Sequence, residues 1–388
     1  MGKTGVGEIL EKYLGEYEKV RKLSAHQKKA LEAIRACRTH ENGYHLMKCE
    51  ECGEEEWQYN SCRDRNCPQC QWMKQQEWVE KRMAELPKIP YHHVVVTLPD
   101  ILHKLMLMNQ AVLYQIFFEV VSAALKEFGE NPKHLGARIG MICVLHTWGQ
   151  ALNYHVHMHC LVTGGGITKS GEWVEGKYGE EFLFPIRAVS QVIKGKLMEK
   201  LRKAYRKGEL KLEGKQKWMR NPAKFEYYLG GVAKEMVRVY SKPATKKPEN
   251  VVKYLGAYMK RGPISNRRIM GVEEGKVIFG YKDYRNGGER KVMKMGWEEF
   301  IRRYVCHIVP KGFVKVRYYG IFAGRKKKEE LGRLREIAGE LEMEEEELEV
   351  VKCKVCKRGR MKYERELSYE EVEEMVMAMK RPQVMDTS

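Results

Sequence analysis

No run of about 18 apolar residues occurs in this chain of 388 residues, so no transmembrane helix is expected. The opening residues, Met1-Gly-Lys-Thr-Gly-Val-Gly-Glu8, lack the apolar core of an export signal, and a cytoplasmic protein is expected. No Gly-x4-Gly-Lys-Ser/Thr loop is present to cradle a nucleoside triphosphate, which argues against a helicase. No Glu stands beside the histidines as in His-Glu-x-x-His, which weighs against a zinc hydrolase. Internal repeats are lacking too. Acidic residues are in deficit, 52 against 71 lysines and arginines, for a net charge of +19. Basic residues interleaved with aromatics run from Lys194 to Lys328, and a polyanion is the natural partner. No strongly amphipathic basic helix stands out, so an anionic membrane is the weaker candidate.

What remains is a folded chain, 43% hydrophobic and 32% charged, long enough for two or three domains. Eleven cysteines are present and six fall between Cys37 and Cys70. In a chain without an export signal, such a cluster reads as metal binding rather than disulfides. Cys49-x2-Cys52 and Cys67-x2-Cys70 are two knuckles fourteen residues apart. Together they form a tetrahedral thiolate set suited to structural Zn2+. Gly53 can relieve the turn after the first knuckle. Cys37, His45 and Cys62 are left over. They make a second zinc site, with His40 as a further candidate ligand, or else are buried thiols and a surface histidine. Arg63 and Arg65, between the knuckles, are placed to touch phosphate.

The stretch Asn153-Tyr-His-Val-His-Met-His-Cys-Leu-Val162 alternates His155, His157 and His159 with other residues. A period of two predicts a strand with the three imidazoles on one face and Met158 packed behind. Several imidazoles aimed at one spot suggest a metal site, here Mg2+ or Mn2+ polarising a phosphate oxygen. His157 and His159 are the core pair. Met141–His146 reads as the preceding strand, and a hairpin would bring His146 beside them as the preferred third ligand, with His155 as competitor.

A nucleophile is needed next. Tyr254 and Tyr258, four apart in a helix expected to begin near Asn250, share one face. A Tyr-x3-Tyr pair is by itself more often packing than catalysis. Its setting raises it: Lys260, Arg261, Asn266, Arg267 and Arg268 follow in a basic turn able to grip a DNA backbone.

Seven stretches, in order, carry a family resemblance: Cys62-Arg-Asp-Arg-Asn-Cys-Pro-Gln-Cys-Gln71, Val94-Val-Val-Thr-Leu-Pro99, Leu145-His-Thr-Trp-Gly-Gln150, His157-Met-His-Cys-Leu-Val-Thr-Gly-Gly-Gly166, Tyr254-Leu-Gly-Ala-Tyr258, Ile264-Ser-Asn-Arg-Arg268 and Val309-Pro-Lys-Gly-Phe313. The chain resembles the two-tyrosine rolling-circle insertion-sequence transposases of the HUH endonuclease superfamily. The resemblance implies an α+β protein: a zinc-ribbon-like N-terminal module plus an HUH-type central antiparallel sheet flanked by helices. It implies cleavage of single-stranded DNA at element ends. Tyr254 or Tyr258 would keep the 5′ phosphate, a 3′ hydroxyl would be freed, and strand transfer would follow without ATP. His157 and His159 would hold the metal, and the zinc module would help recognise element DNA. Relatives carry a Cys-Pro-x-Cys-Gly type segment near the C-terminus. Cys353-Lys-Val-Cys356 lacks the Pro and Gly, which leaves a C-terminal zinc site in doubt.

The expected organisation is a helical segment over 1–36, a zinc module with a linking helix over 37–86, a catalytic domain over 87–325 and a charged helical tail over 326–388. Two rival functions stand beside the transposase. One is a rolling-circle replication initiator or relaxase with the same chemistry. The other is a non-catalytic zinc-ribbon protein that binds nucleic acid. The zinc module and the missing helicase motif favour the transposase.

Overall fold

The computed structural model describes residues 5–70, 78–178, 183–243, 262–283, 287–340 and 352–380. Helix α1 (Val6–Val20) buries Val6, Ile9, Leu10, Tyr13, Leu14 and Tyr17, a stripe at helical spacing. Helix α2 (Ala25–Arg35) starts at a capping box: Ser24 Oγ accepts from the Gln27 N–H at 3.3 Å, and Gln27 Oε1 accepts from the Ser24 N–H at 3.0 Å. A hairpin follows, β1 (Tyr44–Cys49) against β2 (Glu55–Tyr59), with the first knuckle at its turn. Residues 78–83 are helical, within the linking helix expected over 72–86.

The site is carried by a five-stranded sheet. Its strands are β3 (Tyr91–Thr97), β4 (Gly140–Trp148), β5 (Tyr154–Thr163), and two more supplied from later in the chain. Between β3 and β4 run α3 (His103–Met108) and α4 (Gln110–Glu130). The expected hairpin of β4 and β5 forms, antiparallel, with β5 in the middle of the sheet. Val156, Met158, Cys160 and Val162 of β5 point into the main core with Phe117, Phe118 and Val121 of α4. Full burial of such side chains contributes roughly 1.5–3 kcal/mol each, and it pins the register: a slip by one residue would drive the histidines into that core.

A short ribbon, β6 (Gly165–Ile167) and β7 (Trp173–Glu175), precedes α5 (Ile186–Arg206) and α6 (Pro222–Lys234). Asn221 caps α6, accepting from the Lys224 N–H at 3.2 Å, with Pro222 in the first turn. The stretch 187–240, whose basic sequence reads as mostly helical, ends instead in a strand. Residues Arg238–Pro243 form β8, an edge strand paired with β3. Its lysine and arginine side chains and its terminal proline suit an edge, where the missing N–H costs no ladder bond.

A second sheet, order β11-β10-β9, comprises β9 (Ile269–Glu273), β10 (Lys276–Asp283) and β11 (Glu289–Gly296). It packs with α7 (Trp297–Cys306) and both N-terminal helices into one core, where Tyr13 stacks on Trp297 at 5.1 Å. Strand β12 (Val316–Gly320) closes the far edge of the central sheet beside β4. Helix α8 (Lys327–Ala338) covers Ile142 and Leu161 on the sheet face opposite the main core. The C-terminal segment is more than a helical tail. Strand β13 (Met361–Leu367) pairs with β1, and α9 (Tyr369–Lys380) starts at the capping box of Ser368 and Glu371. The architecture is therefore a mixed α+β fold with an N-terminal cysteine-cluster module and a central antiparallel sheet flanked by helices. Among the described residues, no helix is long and apolar enough to cross a membrane.

Candidate metal centres and active site

Pairing of β4 with β5 sets His146 directly opposite His157, with ring centroids 5.2 Å apart. His159 lies diagonally across, 4.6 Å from His146 and 4.9 Å from His157. One ligand atom from each of the three lies within 4.8 Å of the others. A register shift between His146 and Trp148 bends β4 just past the site, and Trp148 stacks on His146 at 4.9 Å.

Second bonds orient the rings. His157 Nδ1 lies 3.0 Å from the His155 carbonyl oxygen, which only accepts, so Nδ1 carries the proton and the Nε2 lone pair is left for a cation. His93 of β3 stacks on His159 at 5.1 Å and brings its Nε2 within 2.9 Å of His159 Nδ1. Burial holds His157 down to about 4 and His159 well below the usual imidazole range, with neighbouring histidines adding to both. Neutral imidazole is the form that ligates metal, so these residues fit a divalent cation. His155 goes elsewhere: it gathers with Asp100 and His103.

The cysteines assemble differently from the expectation that Cys49, Cys52, Cys67 and Cys70 form one set. Cys67 and Cys70 gather with Cys37 and Cys62, and Cys49 and Cys52 with Cys353 and Cys356. In the first cluster Sγ separations are 3.4 Å (Cys37–Cys70) and 3.6 Å (Cys62–Cys70 and Cys67–Cys37). In the second they are 3.7 Å for Cys49–Cys356 and for Cys52–Cys353. Four sulfurs placed tetrahedrally at 2.3 Å from Zn2+ lie about 3.8 Å apart, so both sets fit the ion. The β1–β2 turn carries the first knuckle away from the second, and β13 pairing, with Cys49 opposite Met361, delivers the C-terminal pair instead. Gly53, at φ 75°, makes the turn expected of it. The backbone N–H groups of Gly359 and Arg358 pull the Cys356 thiol down to about 6. His45 joins neither cluster: Nδ1 lies 2.8 Å from Asn60 Oδ1 and the ring packs on Tyr363. His40 sits in the short 3-10 turn His40–Asn42, also outside both clusters.

Tyr254, Tyr258, Lys260 and Arg261 lie outside the described residues. Of the remaining basic-turn residues, Arg267 is exposed. Arg268 is half-buried: its Nε donates to the Gly280 carbonyl at 2.8 Å, a terminal nitrogen donates to the Gln150 carbonyl, and the guanidinium sits over Phe279. Asn266 Oδ1 accepts from the Val6 N–H at 3.1 Å, tying this turn to α1. In the cysteine module Arg63 is exposed, while burial lowers Arg65. Three features escaped sequence reasoning: His93, the Asp100–His103 pair and the meeting of Cys353 and Cys356 with Cys49 and Cys52. For His93 the register of β3 against β5 was the missing information. For Cys353-x2-Cys356 the signal was present in its spacing.

Residues 140–330 match the family described as "Putative transposase", and residues 9–98 match "Transposase zinc-binding domain". The chain is 38% identical over 343 residues to "Putative transposase y4qJ" of Sinorhizobium fredii, covering 87% of this chain and 86% of that one. It is 28% identical over 295 residues to the "Transposase for insertion sequence element IS801" of Pseudomonas savastanoi pv. phaseolicola, covering 75% and 68%. The chain thus belongs to the family of rolling-circle insertion-sequence transposases that carry an N-terminal zinc-binding domain.

Proposed function

We propose that the protein is an HUH-type enzyme that cuts one DNA strand at an element end and transfers it. The observation that carries this reading is the convergence of His146, His157 and His159 on one point of the central sheet. These three would hold Mg2+ or Mn2+, which supplies charge to polarise a non-bridging phosphate oxygen. The phenol oxygen of Tyr254 or Tyr258 attacks phosphorus, the bond to the 3′ oxygen breaks, and that oxygen takes up a proton. The product is a 5′ phosphotyrosine and a free 3′ hydroxyl. The phosphoester bond energy is kept, so the reverse attack by another 3′ hydroxyl joins strands without ATP. The second tyrosine permits a second cleavage.

The two thiol sets would each hold structural Zn2+, tying the β1–β2 hairpin to β13 and the 62–70 loop to the end of α2. Arg63, Arg65, Lys260, Arg261, Asn266 and Arg267 are the candidate contacts to DNA, with Arg63 and Arg267 exposed, whereas Arg268 is engaged by the Gly280 and Gln150 carbonyls. The test is a cleavage assay with single-stranded element-end DNA and Mg2+ or Mn2+. A covalent protein–DNA adduct is expected, and it should vanish in the double variant Tyr254→Phe/Tyr258→Phe. A full adduct from that variant overturns the nucleophile assignment, and cleavage undiminished by EDTA overturns the metal role.

A further inference from the structure

We propose a second divalent-cation site, formed by Asp100, His103 and His155, beside the three-histidine centre. Ligand atoms of these residues lie within 4.8 Å of one another. They come from two elements that antiparallel pairing brings to one end of the sheet: β5 begins at Tyr154 where β3 ends at Thr97, and the Leu98 N–H bonds the Val156 carbonyl at 3.2 Å. Pro99 then turns the chain into the 3-10 segment Asp100–Leu102, and His103 opens α3.

Hydrogen bonding leaves His103 unspent. Its Nδ1 stands 3.5 Å from Asp100 Oδ1, longer than a nitrogen–oxygen hydrogen bond, which is about 2.7–3.2 Å. Its Nε2 is buried without a hydrogen-bond partner. A buried ring nitrogen in that state costs free energy unless something binds it. A cation held among Asp100, His103 and His155 would take one ligand atom from each, a single ring nitrogen in the case of His103. The ring of His103 meets those of Tyr154 and His155 edge-on, at 5.6 and 6.0 Å, which fixes its plane. Two imidazoles and one carboxylate suit Mn2+, Fe2+, Co2+ or Zn2+. Asp100 is exposed, with 85% of its side chain accessible, so coordination positions are open on the solvent side.

His155 and His157 are two residues apart on one strand face, with ring centroids 5.0 Å apart. The two centres are thus neighbours along one strand face, and a cation in the second would meet the DNA backbone beside the phosphate being cut. This role rests on the proposed DNA-cleaving function. The site itself stands on its own donor atoms.

Mn2+ titrated into the zinc-loaded full-length protein, with free Mn2+ followed by electron paramagnetic resonance, tests the proposal. Two Mn2+ per chain are expected in the wild type and one in each of Asp100→Asn and His103→Gln. The double variant His157→Ala/His159→Ala should lose the other and keep this one. Because Asp100 is exposed, its variant does not threaten the fold. One Mn2+ in the wild type, unchanged in Asp100→Asn and His103→Gln but lost from His157→Ala/His159→Ala, refutes the second site and leaves the first standing. If the histidine double variant retains both ions while Asp100→Asn loses one, the second site is supported and the three-histidine centre fails.

Discussion

His146 and His157 are direct cross-strand partners on β4 and β5, eleven positions apart in the chain and 5.2 Å apart between rings. The distance follows from antiparallel pairing, which brings opposite side chains to about 4.5–5.5 Å at Cβ. His155 shares the face of His157 but lies one pair further toward the strand end, beside His103. The two histidines should therefore fail differently. His146→Ala is expected to weaken Mg2+ or Mn2+ binding at the three-histidine centre by more than the roughly 10- to 100-fold cost of losing an outer partner. His155→Ala should leave cleavage nearer wild type at saturating metal. Metal-dependence curves for the two variants check this, and equal losses would contradict it.

The cysteine sets make a stoichiometric prediction. Cys353→Ser/Cys356→Ser should reduce bound zinc from two ions per chain to one, measured by atomic emission on purified protein. Cys67→Ser should remove the other ion. Hydrogen exchange in β1 and β13 should rise only in the first variant, because Cys49 and Met361 are ladder partners there. Retention of two zinc ions in the Cys353/Cys356 variant would restore the four-thiol set Cys49, Cys52, Cys67 and Cys70.

His93 makes its case through the bond to His159 Nδ1. If His159 ligates through Nε2, its Nδ1–H donates to His93. His93→Ala should then lower metal affinity about 10- to 100-fold. His93→Gln, whose side-chain oxygen accepts the same bond, should recover part of that loss. Equal affinities for the two variants would mean that His93 only fills space.

Acid should destabilise the fold in a defined window. Burial pushes His307 down to about 4 from an ordinary 6.5. Its Nε2–H donates to the Leu152 carbonyl at 3.2 Å, and Nδ1 accepts from the Thr147 hydroxyl at 3.2 Å. The unfolded chain takes up the proton first. The contribution of neutral His307 is thus complete above about 6.5 and is lost as pH falls toward 4, worth on the order of 3 kcal/mol. His307→Gln can keep both bonds without titrating, and its melting temperature should fall less between pH 7 and 4.5 than that of the wild type. Parallel curves would rule this out.

Adjacent arginines should separate DNA contact from support. Arg267→Ala should weaken DNA binding and reduce the salt slope by about 1, with the melting temperature kept. Arg268→Ala should cost about 2 kcal/mol or more in denaturant unfolding, because it strips charged donors from the Gly280 and Gln150 carbonyls. An unfolding midpoint unchanged in Arg268→Ala would return that residue to the list of DNA contacts.

Local features were legible in the sequence because short-range geometry dictates them. Period-two alternation marked β5 and turned Met158 to the core. Each knuckle was readable as a pair, since two residues between cysteines are what a tight turn around one ion needs. Edge strand β8 was hidden inside a basic stretch that reads as helix, because its pairing partner, β3, lies about 140 residues earlier. Arg268 looked like its neighbour Arg267, and only the approach of the Gln150 and Gly280 carbonyls distinguishes them.

By itself, then, the sequence determined the strand that carries the histidines, the pairing of cysteines within each knuckle, and the family. Tertiary structure alone decided which knuckle meets which, that His146 rather than His155 completes the trio, and that Asp100 and His103 stand beside His155. The physical reason is convergence. Spacing along a chain constrains neighbours within a turn or a hairpin. The cost of closing a loop grows only slowly with its length, so the separation of 301 positions from Cys52 to Cys353 is no obstacle once β13 pairs with β1.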